Sequence, residues 1–267
     1  MKTQTETILA TKIIQKAVNN IVPVRFKNKD YIDKDDIDMN ENKPGGNSTV
    51  TNTDNVNNTD NINYTGTMSE SNFFAMISRM KYINRWALMR NSREENLCEH
   101  CLEVSMIAHA LATIGNTRYG RHLNADRAAL IGLYHDASEI ITGDMPTPVK
   151  YYNNEIKNAF KDVEDIACHT LLDKLPEDLK ASYMPIFFKD ENDENDVYVW
   201  KLVKAADKLS ALIKCMEETA SGNTEFSSAM STIMSSVSRL SEDYPEVNDF
   251  VCQFIPAYGK TLDELQD

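Results

Sequence analysis

The segment from Ile131 to Thr147, IGLYHDASEIITGDMPT, places polar and charged side chains within an apolar run that predicts a buried helix over Asn124–Ile141. It contains the adjacent pair His135 and Asp136, and both residue types can bind one divalent cation. Burying such a pair without partners costs free energy. The pair alone therefore leaves two interpretations open, a metal site or a hydrogen-bonded His-Asp pair within a helical core.

The rest of the chain after residue 67 also has helical periodicity, and it contains no run of alternating strands, which predicts an all-α domain. The inner stripe of the second helix is predicted to contain Leu102 and Met106, and that of the helix after residue 153 to contain Ile156, Val163 and Ile166. The predicted helices span Ser71–Met80, Glu94–Ile114, Asn124–Ile141, Asn153–Leu175, a short helix from Pro176, Val197–Ala220, and two more broken at Pro245 and Pro256.

Residues 1–67 differ in composition from residues 68–267, which form the predicted helical domain. One short amphipathic helix is predicted at Glu6–Asn20. The stretch Asn40–Thr67 consists mainly of Asn, Thr, Gly and Asp, and it cannot bury enough apolar surface to offset its ordering entropy. We therefore expect residues 1–67 to be an extension with a largely disordered linker.

Charge and cysteine content limit the classes of function. The net charge of −13 argues against binding a nucleic acid polymer or an anionic membrane. No apolar run approaches the about 20 residues of a membrane span, and five irregularly spaced cysteines indicate reduced thiols in the cytoplasm. Cys98 and Cys101 form a C-x-x-C, but the chain has no second such pair, which disfavours a structural zinc site.

Other polar residues at helical positions could join His135 and Asp136. His100 lies at the start of a predicted helix, whereas His109 is nine residues later and falls on the opposite face of that helix. Asp207 borders the apolar stripe of the longest helix, so it is a candidate ligand. The alternative interpretation is that Asp207 is a solvated surface charge. Four candidate ligands from three helices make a more specific signal than any pair.

Arg85 and Trp86 are a candidate pair for a phosphate and a sugar or base. Spacing alone favours the alternative of an exposed arginine beside a core tryptophan.

The order H … HD … D on successive helices resembles the HD-domain superfamily of metal-dependent phosphohydrolases. The resemblance is closer to bacterial 5′-deoxynucleotidases and covers residues 68–267. It is carried by FFA at 73–75, SRMK at 78–81, INRW at 83–86, LMRN at 88–91, EH at 99–100, YHDASE at 134–139, TGDMPTPVKY at 142–151 and KAAD at 204–207.

This resemblance implies a compact α-helical HD domain, a homodimer, and a role in nucleotide metabolism. It also implies hydrolysis of deoxyribonucleoside 5′-monophosphates to the deoxynucleoside and phosphate. One divalent transition metal is expected, cobalt first, with manganese and zinc as alternatives. The implied metal ligands are His100, His135, Asp136 and Asp207.

The same resemblance assigns the substrate side of the site. Arg85 would contact the phosphate, and Trp86 would orient the substrate and press against the deoxyribose, excluding a 2′-hydroxyl. Three of the metal ligands, His100, Asp136 and Asp207, also border the substrate. The pocket is expected to be lined by Asp144, Met145, Pro146 and Thr147.

Hydrolysis of the ester needs a protonated leaving group, and Glu139, one turn beyond the His-Asp pair, is the expected acid/base. Asp144 is expected to position water or substrate. Cys98 and Cys101 stand where the family commonly has small residues, so they bear on metal selectivity. The alternatives are a deoxynucleoside triphosphate triphosphohydrolase of the HD superfamily and a non-catalytic nucleotide-binding HD scaffold.

Overall fold

The computed structural model describes residues 70–266, together with Lys12. These residues are helical, and among them the only extended pairing is an isolated antiparallel bridge between Asn84 and Asn96. The all-α prediction is confirmed. The predicted extension over residues 1–67, including its linker, lies outside the described residues apart from Lys12.

The described chain is a succession of helices joined mostly by short turns, with a longer non-helical segment over residues 83–96. The α-helices are α1 (Phe73–Ile77), α2 (Leu97–Tyr119), α3 (Ala125–Tyr134), α4 (Glu139–Thr142), α5 (Thr147–Lys150), α6 (Asn154–Leu172), α7 (Glu177–Phe187), α8 (Glu194–Ala220), α9 (Ser227–Asp243), α10 (Pro245–Gln253) and α11 (Leu262–Gln266). Short 3₁₀ helices occupy Ser78–Tyr82, Thr224–Phe226 and Ile255–Gly259.

Helices α2, α3 and α8 form the centre of the main hydrophobic core. The predicted stripe of α8 is confirmed, since Leu202, Leu209 and Leu212 are fully buried. Helix α2 begins with a capping box, in which Asn96 accepts from the backbone N–H of Glu99 and the Glu99 side chain accepts from that of Asn96. This cap fixes where α2 starts, three residues later than predicted.

A glycine allows α2 and α3 to approach closely. A Cβ added at Gly132 would lie 2.8 Å from Cα of Ser105 and 2.9 Å from its backbone nitrogen. Because both contacts are with backbone, no side-chain rearrangement could relieve them. Gly132 therefore sets the separation between α2, which carries His100, and α3, which leads into the turn with His135.

The predicted inner faces of two helices are partly wrong. Leu102 and Met106 of α2 are more than half exposed. In α6, Ile156, Val163 and Ile166 are also exposed. The buried face of α2 instead follows the register of His100, because that side chain has to reach the interior.

The first predicted helix, Ser71–Met80, is also interrupted. Helix α1 ends at Ile77, and a 3₁₀ helix follows from Ser78.

The predicted helix over Asn124–Ile141 is interrupted at its functional residues. Helix α3 ends at Tyr134, residues 135–138 form a turn, and α4 begins at Glu139. The ring Nδ1 of His135 lies 2.8 Å from the carbonyl oxygen of Gly132, which would otherwise accept a helical bond from the backbone of Asp136. His135 and Asp136 thus lie at the end of a helix rather than within one.

Helix α2 is long and apolar enough to cross a membrane by length and composition alone, and it is the one such helix among the described residues. Its buried positions, including Val104, Ala108 and Leu111, belong to the core shared with α3 and α8. Its hydropathy is therefore accounted for by packing within the fold.

Candidate active site

Three elements bring His100, His135, Asp136 and Asp207 together. His100 lies in the first turns of α2, the His-Asp pair lies in the turn after α3, and Asp207 lies in the middle of α8. Nε2 of His100 is 3.2 Å from Oδ1 of Asp207 and 3.5 Å from Oδ2 of Asp136. Nε2 of His135 is 3.2 Å from the same Asp136 oxygen. All four predicted ligands therefore converge.

This group of side chains is suited to a divalent cation. The Nε2 atoms of His100 and His135 are buried and have no hydrogen-bond partner. The ligand atoms of His100, His135 and Asp207 lie within 4.8 Å of one another. Buried nitrogens that face carboxylates without hydrogen bonds are costly unless a ligand satisfies them, so the residues present fit a metal ion.

Three of these four groups have charge states that favour metal binding. Burial, reinforced by the positive charge of Arg85, lowers the pKa of His100, so its ring is neutral and can donate a lone pair. Burial alone would raise the pKa of Asp136, but the adjacent His135 holds that pKa below the ordinary carboxyl range. Both carboxylates are ionised, because the pKa of Asp207 is also lowered, by Lys208 and His100 against the effect of burial. Burial alone would lower the pKa of His135, but the charge of Asp136 raises it, so this ring must lose a proton when a cation binds.

Cys101 is a further group beside His135 that could in principle bind a metal, since Cys101, His135 and Asp136 also cluster within 4.8 Å. However, its Sγ lies 3.7 Å from Nδ1 of His135, the nitrogen already bonded to the Gly132 carbonyl. Burial raises the pKa of the Cys101 thiol, which keeps it protonated and a poor ligand. The partner in the C-x-x-C, Cys98, is exposed, and both are free thiols.

Arg85 is held against the metal-binding group. Its Nη1 is 2.9 Å from Oε2 of Glu95 and 2.7 Å from Nδ1 of His100. Its Nη2 is 4.0 Å from Oδ1 of Asp207. A buried guanidinium between carboxylates keeps its charge, and the pKa of Arg85 is raised by Glu95 and Asp207 despite the opposing effect of burial. The arginine therefore supplies positive charge at the place where the prediction puts the phosphate.

Trp86 has a strained backbone. Its φ of 56° is the one positive φ of a non-glycine residue in the part of the chain that the structure describes. Its carbonyl accepts from the backbone N–H of Met89 at 2.8 Å and from Nδ2 of Asn91 at 3.1 Å, which hold this conformation. The indole packs on Phe226 at 5.4 Å between ring centroids, and its Nε1 is buried without a partner. Strain of this kind is typical of functional positions.

Glu139 is the first residue of α4 and is buried, and its Oε2 has no hydrogen-bond partner. Burial, together with the negative charges of Asp136 and Asp144, raises the pKa of Glu139 to about 9. The side chain is therefore protonated at neutral pH and able to donate a proton.

Asp144 follows Gly143, whose φ of 74° turns the chain back toward the site. Burial raises the pKa of Asp144, and the nearby Arg85 opposes that effect. The next predicted residues differ in exposure, because Met145 is half-buried whereas Pro146 and Thr147 are exposed where α5 begins.

Sequence reasoning missed three residues next to the predicted ones. Glu95 pairs with Arg85, and Ser210 and Glu103 form a chain of contacts behind His100. Glu103 lies three residues after His100 on α2, and Ser210 lies three residues after Asp207 on α8. Such i, i+3 spacing puts Glu103 on the same helix face as His100, and Ser210 on the same helix face as Asp207. This spacing could be read from the sequence.

His109, by contrast, is half exposed, and its Nε2 is 3.9 Å from Oδ1 of the exposed Asp126. This agrees with the prediction that it cannot share an ion with His100.

Comparisons with known proteins identify the family of this chain. The family model described as 5′-deoxynucleotidase YfbR-like matches residues 72–258. A 5′-deoxynucleotidase of Erwinia tasmaniensis is 46% identical over 198 residues, which cover 74% of this chain and 98% of the relative. The 5′-deoxynucleotidase YfbR of Escherichia coli is 47% identical over 199 residues, 74% of this chain and 97% of the relative.

Among solved structures, an HD-domain phosphohydrolase from Listeria innocua superposes with a TM-score of 0.60 at 22% identity, covering 70% of this chain and 87% of the other. This likeness concerns the fold alone and agrees with the helical arrangement described above. The family match and the close relatives carry the assignment further, and together they establish that the chain belongs to the YfbR-like 5′-deoxynucleotidase family.

Proposed function

We propose that this protein hydrolyses deoxyribonucleoside 5′-monophosphates to the deoxynucleoside and phosphate, with one divalent metal held by His100, His135, Asp136 and Asp207. The observation that supports the metal site most strongly is the pair of buried, unpartnered Nε2 atoms facing two ionised carboxylates. The named activity of the relatives supports the substrate class.

The metal is proposed to be a first-row transition ion, because two imidazoles with two carboxylates suit such ions better than calcium or magnesium. Cobalt is the first choice, and manganese and zinc are the alternatives. A divalent ion held by these four residues would supply a lowered pKa for a bound water and would offset phosphoryl charge.

Arg85 is proposed to bind the phosphate. Its guanidinium is next to Asp207 and His100, and it can present N–H groups to phosphate oxygens in a fork. Negative charge gathers on those oxygens as the ester breaks, so a positive charge fixed in advance lowers the barrier. Glu95 keeps the arginine side chain in this orientation.

Glu139 is proposed to donate a proton to the 5′-oxygen of the leaving deoxynucleoside. The protonated state that burial gives this carboxyl is the state a general acid needs. Asp144, whose negative charge contributes to the raised pKa of Glu139, is proposed to position the substrate or water.

Trp86 is proposed to press on the deoxyribose and to exclude a 2′-hydroxyl, because the strained backbone and the Phe226 contact fix its ring. The remaining substrate contacts proposed are His100, Asp136, Met145, Pro146, Thr147 and Asp207.

Three broader features are proposed on the family resemblance. These are a homodimer, a cytoplasmic location, and a division of the chain into an extension over residues 1–67 and a hydrolase domain over residues 68–267. Binding of a nucleic acid polymer or a membrane is not expected, given the net charge of −13.

A substrate panel tests the activity. Metal-stripped protein receives cobalt, manganese, zinc or magnesium singly, and released phosphate and triphosphate are measured from dAMP, AMP and dATP. Phosphate released from dAMP, with AMP and dATP left intact, and only with a transition metal, is the expected result. Triphosphate released from dATP alone would favour the triphosphohydrolase instead. A protein that binds metal tightly but turns over none of the three would be a non-catalytic scaffold.

A further inference from the structure

A chain of two contacts leads from the metal-facing His100 to a carboxylate at the edge of the core. Nδ1 of His100 lies 3.0 Å from Oγ of Ser210, and Oγ of Ser210 lies 2.6 Å from Oε2 of Glu103. Ser210 and His100 are fully buried, so water cannot substitute for these contacts. We propose that Ser210 and Glu103 are positioning residues that hold His100 in the tautomer and orientation needed to bind the metal, a role that rests on the proposed metal site.

The direction of the two hydrogen bonds follows from counting donors. A serine hydroxyl has one proton to donate, and an ionised carboxylate only accepts. The hydroxyl of Ser210 therefore donates to Glu103, at a distance typical of a charge-assisted bond. Its oxygen is left as an acceptor, which requires Nδ1 of His100 to carry a proton and leaves the Nε2 lone pair free for a cation.

Glu103 is suited to the outer end of this chain. It is only half-buried, and it lines a cavity of about 110 Å³ together with Glu95, Glu99 and Glu217. Water in that cavity can solvate the second carboxylate oxygen, which the chain of contacts leaves without a role. Burial, together with Glu95 and Glu217, raises the pKa of Glu103, and the hydrogen bond from Ser210 opposes that effect by favouring the ionised carboxylate.

The second candidate metal histidine is anchored in the same way. Nδ1 of His135 lies 2.8 Å from the carbonyl oxygen of Gly132, which can only accept. Both rings thus use Nδ1 to bond the protein and direct Nε2 to the shared centre. Support of this kind from outside the ligand set is what fixes ring orientation and basicity in metal sites.

Arg85 provides a competing arrangement. Its Nη1 is 2.7 Å from the same Nδ1 of His100, and a bond from Arg85 would need a lone pair on that nitrogen. The ring proton would then lie on Nε2 and oppose metal binding. A proton held on Nδ1 by Ser210 and Glu103 would remove that bond, so the 2.7 Å contact would have to lengthen before this Arg85 N–H group could turn to the substrate phosphate.

The proposal is tested by the cobalt affinity of the metal-stripped full chain, measured by competition with a chromophoric chelator and without substrate. We expect Ser210→Ala to bind cobalt about 10- to 100-fold more weakly, the loss typical of supporting residues in metal sites. Glu103→Gln keeps the shape of the side chain but not its charge, so a smaller loss in the same direction is expected. The matched control is Ser241→Ala, which removes a buried hydroxyl that bonds only its own helix at Val237.

Coupling between the two residues separates positioning from general damage to the fold. If they act as one chain, the double variant binds cobalt within about twofold of Ser210→Ala alone, because residues in one network are not additive. Additive losses, or single variants within about twofold of the wild type, would overturn the proposal. If Ser210→Ala does not fold, the test rests on Glu103→Gln, whose site is only half-buried. Cobalt affinity within about twofold of the wild type in that variant would then overturn the proposal.

The outcome is separable from that of the proposed function. Weakened cobalt binding in the variants supports the positioning role even if the wild type does not hydrolyse dAMP. Unchanged binding overturns the role even if the wild type hydrolyses dAMP normally.

Discussion

Two residues of the site occupy states that cost free energy, and the proposed function gives each of them a role. Trp86 adopts a left-handed backbone conformation that a bulky residue rarely takes. Glu139 is buried beside negative charge, which it tolerates only by keeping its proton. At the scale of single residues, the site therefore contains a residue with an unfavourable backbone conformation and a carboxyl with an unusual protonation state.

The role of Glu139 as a general acid predicts the effect of replacing it. In Glu139→Gln the shape is kept but no proton can be donated, so we expect kcat for dAMP to fall by about 10²- to 10⁴-fold. The affinity for cobalt should change little, because Glu139 is outside the ligand set. Glu242→Gln, an exposed glutamate on α9, is the matched control. Near-normal kcat in Glu139→Gln would exclude the assignment.

The raised pKa of Glu139 also predicts a pH profile. An acid acts while it is protonated, so kcat should be sustained at low pH and should fall as the pH rises through the pKa of Glu139, about 9 in the metal-free protein. A bound cation offsets the charge of Asp136 and moves this limb to lower pH. A pH–rate profile of Glu139→Gln should lack the limb. Its persistence in that variant would assign it to another group.

Trp86 predicts the basis of sugar selectivity. If the indole excludes a 2′-hydroxyl, Trp86→Ala should hydrolyse dAMP and AMP with similar kcat/KM. Loss of the large ring should also raise KM for dAMP, since its contact with the sugar is removed. Trp200→Phe, which changes a second indole packed against the same core, serves as the comparison. Selectivity that survives in Trp86→Ala would contradict the proposed role.

At the scale of elements, the approach of α2 and α3 determines whether His100 and His135 can meet. Gly132→Ala would place a methyl group against the backbone of Ser105, and overpacking of this kind costs about 1–3 kcal/mol. We expect a lower free energy of unfolding, measured with denaturant, and weaker cobalt binding because the His135 turn is displaced.

The control for this prediction is Gly120→Ala at the end of α2. Gly120 has φ of 64° and no atom within 4 Å of an added Cβ. A methyl group there costs about 1 kcal/mol through backbone strain alone, so stability should fall while cobalt affinity stays unchanged. Equal cobalt affinity in both glycine variants would mean that the separation of α2 and α3 does not set the site.

Much of the arrangement of helices and candidate site residues was predictable from the sequence, and the exceptions have physical causes. The α8 stripe follows from helical periodicity. Residue type and helical position made four residues candidate ligands, and the family resemblance implied that they bind one metal ion. The inner face of α2 was predicted wrongly, because the burial of His100 sets the register of this helix, whereas hydropathy scales treat histidine as polar. The break at His135 was missed because a side chain takes the Gly132 carbonyl from the helix, a contact that depends on the three-dimensional position of the ring. The i, i+3 spacing places Glu103 near His100 and Ser210 near Asp207, but the Ser210–Glu103 contact joins two helices, and spacing within one helix does not predict it.

At the scale of the whole molecule, the hydrolase is proposed to reside in residues 68–267. The family model falls within these residues, and the relatives match nearly their full length to 74% of this chain. Deleting residues 1–67 should therefore leave kcat/KM for dAMP and the affinity for cobalt unchanged. Full-length chain prepared in parallel is the reference. Loss of activity in a folded 68–267 chain would assign the first 67 residues a direct part in catalysis.

The central claim is that one metal ion, held by four side chains from two helices and the turn after a third, makes this fold a deoxynucleotidase. The most direct test adds cobalt stepwise to metal-stripped full-length chain while phosphate release from dAMP and bound cobalt are measured in the same samples. The account predicts no release at the start, a linear rise, and a break at one ion per chain, with Asp207→Asn showing neither tight binding nor release. Release from the metal-stripped protein, or full release by Asp207→Asn, would contradict it.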